Sequence, residues 1–82
     1  MTPQAAQEQL AKVAAFIGTL PDGVEISNIS DMTITLLSPK AFDWSGGTRK
    51  RFQSSIHWEK RVNGIRVQTF EPESEAKIEV IP

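Results

Sequence analysis

The chain has 82 residues, 39% of them apolar, no cysteine, one histidine and a net charge of −1. A chain this short holds one small core, so a single domain over residues 1–82 is expected, and the lack of cysteine excludes disulfides, thiolate zinc sites, iron–sulfur clusters and cysteine nucleophiles. The longest apolar run is Val13 to Ile17, far short of the roughly 18 residues of a membrane span, and no basic residue precedes Lys12 as a secretory leader would require. The expectation is a soluble cytoplasmic protein with no membrane partner, metal or cofactor.

The first segment has the period of an amphipathic helix over about 3–18. Thr2 is placed to cap it and Pro3 to occupy its first turn, where a missing N–H costs nothing. Ala6, Leu10, Val13, Ala14, Ile17 and Leu20 recur at steps of three and four, which predicts one core-facing stripe. Gly18 and Pro21 end the segment. From residue 24 the period changes to two. Val24 and Ile26, then Met32, Ile34 and Leu36, alternate with polar neighbours and predict strands at about 24–28 and 32–38, with turn chemistry between them.

Residues 39–50 form the longest irregular stretch, carrying Phe42, Trp44, the Gly46-Gly47 pair and the basic run Arg49-Lys50-Arg51. Aromatic residues in such a loop either fold onto the core or anchor a contact. The strongest local signal is Asn63-Gly64, the pair favoured in a two-residue type I′ hairpin, between β-like runs at about 51–62 and 65–71. That turn sets Val62 opposite Ile65, Arg61 opposite Arg66, Glu59 opposite Gln68 and His57 opposite Phe70. Alternation then assigns Phe52, Ile56, Trp58, Val62, Ile65 and Val67 to a core wall. Gln53, Ser55, His57, Glu59, Arg61, Arg66, Gln68 and Phe70 fall on the wet face. A last strand is expected at about 76–81. The class is therefore α+β: an N-terminal amphipathic helix packed on one face of a four- to five-stranded antiparallel meander sheet.

Charge is layered along the chain. Residues 1–39 balance at −3, residues 40–66 at +5 and residues 67–82 at −3. The basic middle suits an anion or a complementary protein surface, while the near-neutral total argues against loose nonspecific binding of nucleic acid. His57, Glu59, Arg61 and Arg66 share a predicted face and contain the parts of metal-independent RNA cleavage. Charged residues are nevertheless the ordinary occupants of a wet sheet face. Ser45 to Arg51 lacks the Gly-Lys-Ser/Thr ending of a phosphate loop and reads as a solvated turn.

No catalytic set or metal-ligand spacing emerges, so a non-enzymatic protein is expected. The expected partner- or anion-binding residues are Arg49, Lys50, Arg51, Arg61, Arg66, Trp44, Phe42 and His57. The leading expectation is a small accessory or inhibitor module that docks a protein through the open sheet face, a sheet edge or the 40–51 loop. Homodimerisation through the last strand or the open face is a variant of it. The alternative is a nucleic-acid or nucleotide/phosphate binder using the basic 40–66 segment, to which Lys40 also belongs. A small ribonuclease is the remote third reading.

Overall fold

Local chemistry sets the helix where the pattern predicts it. In the computed structural model, which describes residues 1–72, α1 spans Pro3–Ile17. The Thr2 hydroxyl accepts from the Ala5 N–H at 3.1 Å, and Gly18 forms the C-cap. The buried stripe differs from the expected one. It runs through Ala6, Gln9, Val13, Phe16, Ile17 and Leu20, leaving Leu10 69% exposed and Ala14 exposed. Phe16 offers far more apolar area than Ala14, so the helix turns that side inward. Gln9 then lies over the sheet, where its amide donates to the Asp31 carboxylate at 2.9 Å.

Five strands follow: β1 Ile26–Ser30, β2 Thr33–Leu36, β3 Thr48–Phe52, β4 Ser55–Val62 and β5 Ile65–Pro72. The fold is α+β, as expected. β1 extends through Asn28 to Ser30, a stretch expected to be a turn. The reversal is instead the tight step at Asp31-Met32, with Asp31 at φ 56°. The 51–62 run is two strands, not one. It folds back at Gln53-Ser54, so that Phe52 faces Ser55, and residues 48–50 belong to β3 rather than to a solvated loop. The expected strand at 76–81 lies outside the described residues.

The sheet order is β1-β2-β5-β4-β3, with every neighbouring pair antiparallel except β2 and β5. The meander expectation therefore fails at one junction. A parallel pair needs a long crossover, and the connection over residues 37–47 begins it by carrying the chain from β2 to the far edge. From there β3, β4 and β5 return strand by strand until β5 reaches β2. The Thr69 hydroxyl, fully buried, donates to the Leu36 carbonyl at 2.7 Å across the parallel pair.

The core lies between α1, that connection and one sheet face. Val13 meets Ile34, Leu36, Ile65 and Val67, with Phe16, Ile17, Val24, Met32, Phe42 and Trp44 packed around them. Phe42 and Trp44 are thus half-buried parts of the core edge. Trp44 stands 5.7 Å from Trp58 and donates its indole N–H to the Pro39 carbonyl at 2.8 Å. Gly47 makes the approach feasible, because a Cβ there would come within 2.4 Å of the Glu59 carbonyl oxygen on β4. No helix among the described residues is long and apolar enough to cross a membrane.

Candidate docking face

Cross-strand register builds the opposite face row by row. One row holds Ser30, Thr33, Arg66 and Arg61; the next holds Asn28, Thr35, Gln68, Glu59 and Thr48. Phe70, His57 and Lys50 form the third row, and Pro72, Ser55 and Phe52 the fourth. The four pairings expected around Asn63-Gly64 are all present. Asn63 and Gly64 both have positive φ, at 51° and 80°, as a type I′ turn requires.

Arg61 does face Arg66, a repulsive cross-strand pair. Part of the tension is relieved locally, since the Arg66 guanidinium is ion-paired with Glu59 on the neighbouring strand. Arg61 is exposed and has no ion pair among the described residues. The middle of the face is tied by a chain of polar contacts. His57 Nε2 lies 3.3 Å from Gln68 Oε1, and Gln68 Nε2 donates to Thr35 Oγ1 at 3.3 Å. Those bonds and a stack on Phe70, with centroids 4.6 Å apart and planes 19° apart, fix the His57 ring.

At the far end of the same face Phe52 is 62% exposed and Phe70 51% exposed. With Lys50, Arg51 and His57 they line an open recess of about 290 Å³. That is near the lower limit for a small-molecule pocket, enough to receive one flat group of a larger partner. Phe52 was expected in the core wall, and the turn at Gln53-Ser54 is the reason for the difference. In one continuous strand Phe52 would share a face with Ile56, whereas the fold-back pairs it with Ser55.

The expected site residues divide between the two faces. Lys50, His57, Arg61 and Arg66 belong to the open face. Arg49 and Arg51 pair with Trp58 and Ile56, residues of the other face. The Arg49 guanidinium lies 5.0 Å from the Trp58 ring centre, next to a groove of about 370 Å³ that Trp44, Gly47 and Thr48 also line. Phe42 and Trp44 are 4.6 Å apart, edge to face, on that side. Sequence reasoning left both Phe52 and Phe70 out of the site. Phe70 carried a readable signal, an aromatic residue alternating onto a polar face; Phe52 carried none.

Asp43 anchors the crossover. Its carboxylate accepts from the Ser45 N–H at 3.0 Å, and bonding to Ser45, with the Lys60 charge nearby, holds its pKa below the ordinary aspartate value. Lys60 snorkels from the core face, donating to the Asp43 carbonyl at 2.8 Å with its ammonium 5.7 Å from the Phe42 ring centre. Among the described residues no group of three His, Asp or Glu side chains could hold a metal. No protein-family model, curated protein or solved structure matches the chain.

Proposed function

We propose that the protein is a small non-enzymatic binding module that docks a macromolecular partner on the open face of its sheet. The observation that carries this reading is the aromatic patch: Phe52 and Phe70 are each more than half exposed beside His57. Leaving two aromatic residues more than half exposed forgoes roughly 1–2 kcal/mol of burial per ring, and an apolar patch rimmed by polar residues is a mark of an interaction surface. The loop aromatics that also suggested an anchor are engaged with the core, so support concentrates on this face. A non-enzymatic reading is favoured because Glu59 is paired with Arg66 and His57 is held by Gln68 and Phe70. Neither group is left poised over an enclosed cavity.

The test is capture from a host lysate with the full chain, measuring protein and nucleic acid separately and rebuilding any complex from purified parts. Wild type should retain a partner that Phe52→Ser/Phe70→Ser loses while keeping its circular dichroism. Equal retention by both forms would overturn the assignment of the face.

A further inference from the structure

We infer that the occupant of the open face is single-stranded nucleic acid, with its bases on the Phe52–His57–Phe70 patch and its phosphates on Lys50, Arg61 and Arg66. The inference rests on the docking reading above and gives it a ligand class.

Charge is the first argument. Among the described residues the face rows contain Lys50, Arg61 and Arg66 against the carboxylate of Glu59, a balance of +2 with Glu59 paired to Arg66. The face is basic although the chain as a whole has a net charge of −1. A polyanion is thus attracted to this surface.

Aromatic geometry is the second. The His57 and Phe70 rings are stacked, and Phe52 stands across the same recess. Base–aromatic stacking needs exposed ring faces and tolerates any base. An open recess lined by three rings offers such faces beside the Lys50 ammonium, which can take the flanking phosphate.

Spacing is the third. Arg61 and His57 are four residues apart on β4, about 13 Å at the rise of a strand. Antiparallel sheets that bind RNA stack two or three bases while the backbone crosses basic side chains, and this face has the extent for a contact of that size. In the row between the two ends lie Thr35, Gln68 and Thr48, uncharged groups able to bond base edges or sugar hydroxyls. A duplex hides its bases from such a patch, which is why the single-stranded form is favoured. An acidic peptide would satisfy the cations but leave the two phenylalanines without partners.

The experiment is fluorescence anisotropy of labelled 12-nucleotide single strands, RNA and DNA, and of the matching duplex, titrated with the full chain from low to physiological salt. Wild type should bind single strands more tightly than duplex. Phe52→Ala/Phe70→Ala should weaken single-strand binding at least tenfold, and Arg61→Gln/Arg66→Gln should flatten the log–log salt slope by up to about 1.4. Circular dichroism checks that each variant is folded. No binding of any oligonucleotide by wild type at low salt overturns the nucleic-acid inference. In that case a purified protein whose binding is lost in the double-phenylalanine variant leaves the docking reading standing. Nucleic-acid binding that the phenylalanine variant keeps in full overturns both.

Discussion

The two hairpins at the ends of β4 are built by opposite means. Asn63-Gly64 puts two residues that tolerate positive φ where the turn needs them. Gln53-Ser54 makes an equally short reversal with a glutamine at φ 54°, a conformation costing an ordinary residue about 1–2 kcal/mol. The first hairpin closes over the core at Ile65 and bears the facing arginines on its outer side. The second ends near the exposed aromatic patch. The lesson is that the well-specified turn fixes the register of the sheet, while the strained one decides which face receives Phe52. Strain of this kind gathers where structure serves function.

The largest expected effect lies in the core beneath the well-specified hairpin. Ile65 is 1% exposed and belongs to the central cluster, whereas Ile56, 3% exposed, stands outside it. Ile65→Ala should cost about 3–5 kcal/mol and Ile56→Ala about 2–3 kcal/mol, both measured by urea denaturation. Equal losses would mean that the core extends evenly from one hairpin to the other and that the contrast between the ends of β4 is false.

The turns themselves come next. Gly64→Ala should destabilise by about 1–2 kcal/mol, because a Cβ is introduced at φ 80°. Gln53→Gly should act in the other direction, stabilising by about 0.5–1 kcal/mol after the entropy of glycine in the unfolded chain is set against the relief. A loss of stability on Gln53→Gly would show that the glutamine turn is not strained and would remove half of the comparison.

The same contrast accounts for what could be read in the sequence. Helix start and stop, the β4–β5 register and the face of Phe70 followed from caps, an Asn-Gly pair and strict alternation, all signals contained within a few residues. Gln53-Ser54 offers no glycine, proline or asparagine, so the run from Arg51 to Val62 reads as one strand and sends Phe52 to the wrong face. The helix stripe was misjudged by one position because periodicity weighs Ala14 and Phe16 alike, whereas packing rewards the larger ring. The parallel β2–β5 contact could not be read at all. It depends on Val67 and Thr69 meeting Ile34 and Leu36 across about thirty residues of chain, and no local pattern encodes that closure. Two of the eight expected binding residues were separated for a similar reason, since Arg49 and Arg51 lie on the side opposite Lys50 once the three are a strand.

The smallest effect concerns the crossover, which lies over β4 between the two hairpins and belongs to neither. Asp43 has its pKa lowered first by the Ser45 side chain, then by the Ser45 backbone and the Lys60 charge. A carboxylate with a depressed folded pKa contributes stability above the ordinary aspartate range and loses that contribution as pH falls through the depressed value. Asp43→Asn should therefore be slightly less stable than wild type at neutral pH, and the two should converge in acid, read from paired urea midpoints between neutral and strongly acidic pH. The effect is small because the side chain is exposed to solvent, where screening discounts such interactions. A gap that persisted unchanged into acid would assign the loss to the geometry of the Ser45 turn rather than to charge. The crossover would then be held over β4 by Gly47 and the Trp44–Trp58 contact, with no electrostatic share from Asp43.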